Sequence, residues 1–515
     1  MNKTFFHNES GTNDQVNLDV SSESKLGQNG APFYLTTTLP YVNAPLHMGH
    51  ALEFIRADTI ARYKKLIGYD VYFNTGTDEH GLKIFEKAKE QNKTPQEFVN
   101  EGFEIFKEQL KIFGISSDIH FIRTTDKKHE MLAQEFWKRV NDNGYIYKKT
   151  YKARYCVGCE SEKTDSEIIN GECSDHIGLP LKIINEENYF FKYSLFGDRL
   201  LKFYDEHPDF VIPRFRLNEI VNFVKAGLQD FSISRLKEKM PWGIPVPGDG
   251  NQVMYVWFDA LVNYISTLAG GNVSTLEELI NSSNFKKYWI DGTPTQYCGK
   301  DNTRFQAAMW QAMLMAAEIP NSHQIIVNGF ITGEGGIRMS KTLGNVVDPR
   351  EVIAEYGTDA LRYFLLREVG NFEDSPFTIE RFRDSYNSGL ANGLGNLSSR
   401  ILTLSEKYLD KCPDLPDLED FREYFKNYED FDLKKATEFV WGKIGELDKI
   451  IQDTEPFKVV KVDVLNGKDM IKDLVLKLYT IAWMLNPIMP ETSVKLKQLI
   501  LDNKKPKQPL FLRKE

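Results

Sequence analysis

The chain has few cysteines, no long apolar run and no excess of positive charge. Its 515 residues contain five cysteines, too few for a disulfide scaffold, and this usage indicates a reducing compartment. The longest apolar stretches, such as 309–317 (MWQAMLMAA), are much shorter than the ~20 residues of a membrane-spanning helix. The formal net charge of −9 argues against a non-specific DNA-binding protein, which needs a broad cationic surface. We therefore expect a cytoplasmic globular protein that binds neither DNA nor membranes.

The length of the chain and its apolar fraction of 41% are sufficient for three or four domains with large cores. The first 30 residues contain no arginine and no apolar segment, and they are rich in Asn, Ser and Gly. This composition is typical of a disordered lead and not of a signal or transit peptide.

Strand-like segments and one helical pattern alternate near the N-terminus. Residues 33–38 (FYLTTT) and 70–73 (DVYF) favour strands, and apolar residues recur between them at helical spacing. A strand, a helix and a strand in this order predict a βαβ unit of a parallel sheet. A Cys-bearing, loop-rich stretch follows at 151–191, before further sheet-like segments at 253–260, 295–299 and 325–331. The sequence therefore predicts an α/β fold with a Rossmann-type parallel sheet split by an insertion, and nucleotide chemistry at the loop after the first strand.

From about residue 384 onward the apolar pattern becomes helical. Three stripes have helical spacing: Leu390, Leu394, Leu397, Ile401 and Leu404; Ala436, Val440, Ile444 and Leu447; Leu474, Leu478 and Ile481. They predict an all-α C-terminal bundle. We divide the chain into a lead (1–30), the first half of the Rossmann-type domain (31–147), a connective insertion (148–230), the second half (231–332), a loop region (333–384) and the helical domain (385–515).

Two histidines, His47 and His50, flank Met48 and Gly49 where the loop after the first strand enters a helix. Backbone N–H groups at a helix start attract anions, and imidazole N–H groups can stabilise charge that develops on a phosphate. A pair of surface histidines at a helix cap is the alternative, and this four-residue pattern alone does not decide between the two.

A second polar segment, 338–342 (RMSKT), follows glycines at 333, 335 and 336. Its cations Arg338 and Lys341 and its hydroxyls at Ser340 and Thr342 could close over a triphosphate if the glycines make the loop mobile. Charge runs in such loops are more often only solvated.

Three cysteines and a histidine are closely spaced in the predicted insertion: Cys156, Cys159, Cys173 and His176. Two short-spaced pairs joined by a hairpin-sized link supply a closed tetrahedral set, which predicts one structural zinc ion per chain. Buried cysteines without a metal are the alternative.

Asp78 follows the second strand in the segment 77–81 (TDEHG). A carboxylate at the carboxyl end of a strand could hold an ammonium group. An aspartate that caps the next helix has the same spacing.

Together these segments resemble the class I aminoacyl-tRNA synthetases, and among them the methionyl-tRNA synthetase family. Residues 47–50 (HMGH) and 338–342 (RMSKT) are similar to the two class signatures, which the isoleucyl, leucyl, valyl and cysteinyl enzymes share. Six segments resemble the methionyl enzymes in order and spacing: TTTLPYVNAPLHMGH, NTGTDEHG, YKARYCVGCE, ENYFFKYSLF, VWFDALVNY and CGKD. The resemblance covers residues 31–515, and the stretch 151–234 is too short for the large editing insertion of the isoleucyl, leucyl and valyl enzymes.

The resemblance implies a methionine–tRNA ligase that converts L-methionine and ATP, with Mg²⁺, to methionyl-adenylate and transfers methionine to the 3′ end of tRNA(Met) for initiation and elongation. It implies the catalytic residues His47, His50 and Lys341. It implies ATP contacts from His47, His50, Gly299, Asp301, Arg338, Ser340 and Lys341. It implies methionine contacts from Leu39, Tyr41, Asp78, Trp257, Ala260 and Tyr264, and anticodon contacts from Asn396, Arg400 and Phe457.

Within this set, Asp78 would pair with the methionine ammonium, and the Tyr264 hydroxyl would donate to the thioether, a weak acceptor. Asn302 and Gln306 depart from the family pattern, which often has an aliphatic residue and a histidine at these positions near the methionine side chain. Phe457 stands where the family has a tryptophan.

Two other functions share part of this pattern. A nucleotidyltransferase of the HxGH superfamily would have the first signature but no reason for the cysteine knuckle and the helical domain. A degenerate paralogue that only binds tRNA would have no use for the whole catalytic set. Because no additional tRNA-binding domain follows residue 515, we expect a monomer.

Overall fold

The computed structural model describes residues 30–159, 161–163, 167–337, 339, 347–415 and 421–515. The predicted disordered lead, apart from Gly30, and the predicted ATP contacts Arg338, Ser340 and Lys341 lie outside the described residues.

The strands, in chain order, are β1 (Pro32–Thr36), β2 (Asp70–Thr77), β3 (His120–Arg123), β4 (Ile146–Cys156), β5 (Ser161–Glu162), β6 (Ile168–Ile169), β7 (Glu172–Cys173), β8 (His176–Pro180), β9 (Lys182–Phe191), β10 (Val211–Ile212), β11 (Phe231–Ser232), β12 (Ser234–Leu236), β13 (Pro245–Val246), β14 (Asp249–Met254), β15 (Thr295–Gly299), β16 (Gln324–Asn328), β17 (Ile331–Thr332) and β18 (Ser375–Pro376).

The α-helices are α1 (Met48–Leu66), α2 (Leu82–Glu90), α3 (Pro95–Ile112), α4 (Lys127–Asp142), α5 (Gly197–Glu206), α6 (Arg214–Lys225), α7 (Val256–Leu261), α8 (Asn263–Ser266), α9 (Leu276–Asn281), α10 (Trp310–Ala316), α11 (Pro349–Tyr356), α12 (Thr358–Arg367), α13 (Ile379–Ser385), α14 (Asn396–Tyr408), α15 (Arg422–Glu429), α16 (Leu433–Thr454), α17 (Pro456–Val462), α18 (Val464–Met484) and α19 (Pro490–Leu501). Segments of π-helix at Phe305–Met309 and Tyr386–Gly395 precede α10 and α14.

The central sheet has the strand order β10-β16-β15-β1-β2-β3, and every pair in it is parallel. From β1 the chain builds outward to β2 and β3, and the later strands β15 and β16 lie on the other side of β1. The order of the strands therefore reverses between β1 and β15. Ligands of open parallel sheets bind at such a switch point, outside the carboxyl ends of the strands.

Side chains of β1 alternate between two cores because successive residues of a strand point to opposite faces. Phe33 and Leu35 pack with α1 on one face, and this core continues without a break into the C-terminal bundle. Tyr34 packs on the other face, with α4, α8 and α10. The predicted α/β class and βαβ unit are confirmed.

The predicted boundary of the insertion at residue 230 differs from the sheet topology. Val211–Ile212 forms β10 and pairs with β16 at the edge of the central sheet. Chain that belongs to the sheet therefore resumes before residue 231. This two-residue strand lies between Pro208 and Pro213 and is too short to show any apolar period.

The insertion contains more regular structure than its sequence indicated. Strands β4 and β9 form a long antiparallel arm that pairs from Ile146 with Phe191 to Tyr155 with Lys182. The short strands β6, β7 and β8 form a small separate sheet near the tip.

The sheet-like segment predicted at 253–260 is a strand only in part. β14 ends at Met254 and pairs antiparallel with β12 and β13, whereas Val256–Leu261 is helical. A short apolar run that is buried on all sides does not distinguish a strand from a helix.

The C-terminal region is helical, as predicted. Of the twelve residues in the predicted apolar stripes, all are buried except Leu404, which is partly buried. None of the described helices is both long enough and apolar enough to cross a bilayer.

Candidate active site

A cleft of about 740 Å³ opens at the carboxyl ends of β1 and β15. Every predicted ATP or methionine contact within the described residues lines it: Leu39, Tyr41, His47, His50, Asp78, Trp257, Ala260, Tyr264, Gly299 and Asp301. The cleft lies at the reversal of strand order, where an open parallel sheet binds its ligand.

His47 and His50 form a stacked pair at the start of α1, with ring centroids 3.8 Å apart. The backbone N–H of Gly49 donates to His47 Nδ1 at 3.1 Å, and the backbone N–H of His47 donates to His50 Nδ1 at 3.2 Å. Burial, and then the nearby His47, hold the pKa of His50 well below its ordinary value. Because Nδ1 of each ring accepts a backbone N–H, a neutral ring carries its proton on Nε2. The pair can therefore present two N–H donors to an anion.

Glu53, which was not predicted as a site residue, lies in the cleft three residues after His50. The backbone N–H and the hydroxyl of Thr38 donate to its Oε1 at 2.8 and 2.6 Å. Burial raises the pKa of Glu53 to about 7, and Asp301 contributes to the rise. Its spacing from His50 on one face of a helix was the only signal in the sequence.

Aromatic side chains form the apolar wall of the cleft. The Trp257 ring stacks on Phe305 with centroids 3.8 Å apart and an interplanar angle of 4°. Burial raises the pKa of Tyr264, so its hydroxyl keeps its proton, and Gln306 Nε2 donates to that hydroxyl. Both departures from the family pattern, Asn302 and Gln306, line this cleft.

A buried contact behind Asp78 joins two parts of the predicted methionine pocket. His80 Nδ1 lies 3.1 Å from Asp259 Oδ2, and Asp259 stands on α7 between Trp257 and Ala260. Burial lowers the pKa of His80 to about 4, so a neutral ring donates Nδ1–H to the carboxylate. This bond links the loop that carries Asp78 to the helix that carries the aromatic wall. Motif matching singled out neither residue.

Lys300, which lines the cleft, joins two segments of its rim. Its Nζ donates to Asp374 Oδ2 at 2.6 Å and lies 4.3 Å from the centre of the Phe330 ring. The backbone N–H of Phe330 donates to Asp374 Oδ1 at 3.0 Å. Lys300 therefore fixes the chain after β16 against the loop after β15, which carries Asp301.

The predicted metal ligands Cys156, Cys159, Cys173 and His176 converge at the tip of the insertion. Their ligand atoms all lie within 4.8 Å of one another, and no other such cluster occurs in the described part of the chain. The Sγ atoms of Cys159 and Cys173 are 3.5 Å apart, close to the roughly 3.8 Å between thiolates on a tetrahedral zinc ion. None of these three cysteines forms a disulfide. The residues therefore fit a metal ion.

Gly158, which lies between Cys156 and Cys159 in the chain, leaves room for this arrangement. A Cβ at position 158 would lie 2.5 Å from His176 Cδ2, so a side chain here would push the imidazole out of the cluster. Gly158 and Cys159 also line the active-site cleft, which brings the cluster to its edge.

The predicted anticodon contacts lie far along the chain, on the surface of the helical bundle. Arg400 and Phe457 line a shallow pocket of about 350 Å³ together with Ser399, Thr403, Leu404 and Ile451. Phe457 is 37% exposed, and Arg400 Nη1 donates to Asp448 Oδ1 at 2.5 Å. Asn396 is exposed one turn earlier on α14.

Comparisons with known proteins agree with this geometry. The family model described as "tRNA synthetases class I (M)" matches residues 33–179 and 178–402. A methionine–tRNA ligase of Caldanaerobacter subterraneus is 41% identical over 479 residues, covering 90% of this chain and 73% of the relative. That of Thermotoga maritima is 38% identical over 492 residues, covering 92% and 76%.

Among solved structures, the methionyl-tRNA synthetase of Mycobacterium tuberculosis in complex with methionyl-adenylate matches with a TM-score of 0.83 and 34% identity, covering 90% of this chain and 93% of that one. The apo form of the same enzyme matches with a TM-score of 0.79. The family expected from the sequence is thereby confirmed, and this chain belongs to the methionyl-tRNA synthetases, ligases of class I of the aminoacyl-tRNA synthetases.

Proposed function

We propose that the cleft joins L-methionine to AMP at the expense of ATP, and that the chain then transfers the methionyl group to the 3′ end of tRNA(Met). The observation that carries this proposal is the convergence of ten predicted substrate contacts on one cleft at the switch point of the sheet. The loops that converge there come from both halves of the sheet.

In the first reaction, a methionine carboxylate oxygen attacks the α-phosphorus of ATP. The bond from that phosphorus to the bridging oxygen breaks, and pyrophosphate leaves with the electron pair. No proton transfer and no covalent enzyme intermediate are needed, so catalysis rests on positioning and charge stabilisation. The Nε2–H groups of His47 and His50, at the start of α1, donate to the phosphate oxygens on which charge develops.

Methionine is oriented by two polar contacts and an apolar wall. The Asp78 carboxylate pairs with the ammonium group, and the Tyr264 hydroxyl donates to the sulfur. Leu39, Tyr41, Trp257 and Ala260 enclose the side chain, while Gly299 and Asp301 hold the ribose side of the adenylate. The family resemblance assigns the pyrophosphate end to Lys341, with Arg338 and Ser340 beside it, and Mg²⁺ enters with ATP.

The cluster at Cys156 holds one zinc ion. Three thiolates and an imidazole fill a tetrahedral shell and leave no open position, so the ion would supply folding energy to the insertion rather than chemistry. Metal analysis of the purified protein tests this: we expect one zinc per chain, lost on Cys159→Ser together with stability of the insertion. A protein with no zinc would contradict the assignment.

The second reaction requires tRNA(Met). Asn396, Arg400 and Phe457 suit contacts with unstacked anticodon bases, because exposed aromatic and arginine side chains stack on and hydrogen-bond such bases. We propose that the chain acts as a cytoplasmic monomer.

The direct test is exchange of labelled pyrophosphate into ATP with each of the twenty amino acids, followed by charging of tRNA(Met). We expect exchange with methionine alone. Exchange that needs no amino acid would favour a different nucleotidyltransferase, and tRNA binding without exchange would favour a degenerate paralogue.

A further inference from the structure

Helix α6, which follows the edge strand β10, carries two aromatic rings that each lie against an arginine. The guanidinium carbon of Arg216 is 4.8 Å from the centre of the Phe215 ring, and that of Arg304 is 4.7 Å from the centre of the Phe223 ring. Phe215 is 41% exposed, Phe223 is partly buried, and Arg304 is exposed. Because Arg216 and Phe223 are seven residues apart, they lie on one face of the helix. We call these four residues the α6 surface.

The α6 surface borders the cleft at two points. Arg304 comes two residues after Asn302, which lines the cleft. At the other point, Arg216 lies near Asp374, which also lines the cleft. Burial alone would raise the pKa of Asp374, but Lys300 and Arg216 contribute to lowering it below its ordinary value. A ligand that lies along α6 can therefore continue into the cleft.

This surface is cationic, although the chain as a whole has a net charge of −9. Helix α6 carries the cations Arg214, Arg216 and Lys225 and a single carboxylate, Glu219. Glu219 pairs with Arg216 at 2.8 Å, but its side chain is more than half exposed, so the pair adds little stability and a phosphate can replace the carboxylate. Arg304 forms no ion pair with any residue that the structure describes. The surface therefore favours a polyanionic ligand.

Exposed aromatic rings beside arginine planes bind unpaired nucleotides in particular. A base can stack on such a ring whatever its identity, and an arginine can stack on a base or pair with a phosphate. Bases inside a double helix are already stacked on one another, so only a single-stranded segment can use this surface fully. The part of tRNA(Met) that must reach the cleft in the second reaction is single-stranded, because it is the unpaired 3′ end that accepts the methionyl group.

We propose that the α6 surface binds the unpaired 3′ end of tRNA(Met) at the entrance of the cleft. This inference rests on the proposed function, because it concerns the substrate of the second reaction. A base stacks on Phe223 beside Arg304, and Arg216 exchanges Glu219 for a backbone phosphate. None of the four residues belongs to the methionine or ATP contacts, so the surface acts on transfer to tRNA and not on formation of the adenylate.

Two variants test the surface without disturbing the cleft. Arg304→Gln removes an exposed charge, and Phe223→Leu keeps apolar packing but removes the stacking ring. In both, we expect pyrophosphate exchange without tRNA to be unchanged. The second-order rate constant for transfer from preformed methionyl-adenylate to tRNA(Met), measured in single turnovers, should fall about tenfold, which is within the range for one stacked base.

A tRNA(Met) that lacks its unpaired 3′ nucleotides locates the contact. In filter-binding assays, wild-type protein should bind this shortened tRNA more weakly than the complete one. Arg304→Gln should weaken binding of the complete tRNA but bind the shortened tRNA as wild type does, because the group that Arg304 contacts is gone.

Arg199→Gln is the matched control. The guanidinium carbon of Arg199 lies 5.1 Å from the centre of the Phe196 ring, a similar pairing, but Arg199 does not line the cleft and donates to the backbone carbonyl of Met315. This variant should change neither transfer nor the binding of either tRNA.

Three results would overturn the inference. Unchanged transfer in both variants would show that the 3′ end takes another path, and equal weakening for the two tRNAs would place the contact elsewhere on the tRNA. Slower exchange without tRNA would mean that Arg304 and Phe223 act on the cleft itself. Each leaves the proposed function standing as long as the wild-type chain charges tRNA(Met) with methionine. A wild-type chain that shows no methionine-dependent exchange or charging would instead refute the proposed function.

Discussion

The active-site cleft and the surface around Arg400 and Phe457, which we propose contacts the anticodon, hold their polar groups in opposite ways. In the cleft, His50, Glu53 and Gln306 are largely buried and hydrogen-bonded to other groups of the protein. On the bundle, Phe457 is 37% exposed and Arg400 is paired with a partly exposed carboxylate, Asp448. Donors that are already aligned in the protein can stabilise a small substrate of fixed shape without rearranging. An RNA loop that binds the bundle would have to replace surface contacts such as that between Arg400 and Asp448.

Helix α1 runs from the cleft toward the helical bundle. α1 begins with the histidine pair, and farther along it Asp58 forms an ion pair of 2.8 Å with Arg362, both side chains being fully buried. Arg362 Nε and Nη2 also donate to the backbone carbonyls of Ile488 and Pro487, at 3.0 and 2.9 Å. Burial alone would raise the pKa of Asp58, but the adjacent Arg62 and Arg362 lower it below its ordinary value.

Breaking this junction should give the largest effect. Arg362→Met leaves the Asp58 carboxylate buried with one ion-pair partner fewer, and it removes the donors to the bundle. The loss of one partner from a buried pair costs about 3–5 kcal/mol. We expect the free energy of unfolding, measured by denaturant titration, to fall by this amount.

Arg350→Met supplies the matched control. Arg350 pairs with Asp348 at 2.5 Å, but both side chains are exposed to a large extent, and exposed pairs contribute at most about 1 kcal/mol. Equal losses of stability in the two variants would show that the buried pair does not join the regions.

The next effect concerns the chemistry of the cleft alone. His50→Ala should lower kcat for pyrophosphate exchange by roughly 10²–10³, the effect of losing one aligned donor to developing charge, with little change in the KM for methionine. His50→Gln should retain much of the activity, because a glutamine N–H can stand near the position of Nε2. Unchanged exchange in the alanine variant would mean that the histidines only cap α1.

The site residues that could be predicted from the sequence are those that belong to short local motifs. His47 and His50, and the four residues of the cysteine cluster, could be predicted to lie together because short spacing brings reactive groups together whatever the rest of the fold does. Spacing left two interpretations of Asp78 open, and only the family resemblance chose between them. Glu53 and the contact between His80 and Asp259 were missed as site features. Their roles depend on partners that are distant in the chain, as with His80 and Asp259, and single-sequence patterns carry no information on such contacts.

The same contrast between local patterns and distant contacts explains which parts of the fold could be predicted. Long periodic segments such as α16 and α18 follow from their apolar stripes, because burial of one helical face decides their structure. The strand β10 was missed, and the segment that forms α7 was mistaken for a strand. In both, the local pattern is too short, and packing against the finished sheet decides the conformation.

The third prediction concerns the pH dependence of stability, which should differ between the buried carboxylate of Glu53 and the exposed carboxylates of the bundle. Burial raises the pKa of Glu53 from 4.5 to about 7, so the folded state binds its proton more tightly than the unfolded state does. The resulting stability is complete below pH 4.5 and is lost as pH rises through about 7. The difference in pKa corresponds to about 3 kcal/mol.

The comparison of Glu53→Gln with the wild-type chain isolates this contribution. Glutamine keeps an oxygen to accept from Thr38 but does not titrate. We expect the stability of the variant relative to wild type to rise by up to about 3 kcal/mol between pH 5 and pH 8, in denaturant titrations at fixed ionic strength. A constant difference across this range would show that Glu53 is ionised throughout, like a carboxylate on the bundle surface.

The smallest effects are expected from substitutions on the bundle, which should change tRNA binding without changing the chemistry of the cleft. Arg400→Ala should raise the KM for tRNA(Met) by an amount worth about 1–3 kcal/mol, the range for a base contact, and Phe457→Ala should act similarly through lost stacking. Pyrophosphate exchange without tRNA should be unchanged in both variants, because the pocket at Arg400 and the cleft are separate.

Phe457→Trp should bind tRNA as well or better, since a larger ring offers more stacking area. Because Phe457 is partly exposed, these substitutions should shift the melting temperature little; a lower melting temperature with an unchanged KM would mean that Phe457 packs the bundle and does not contact RNA.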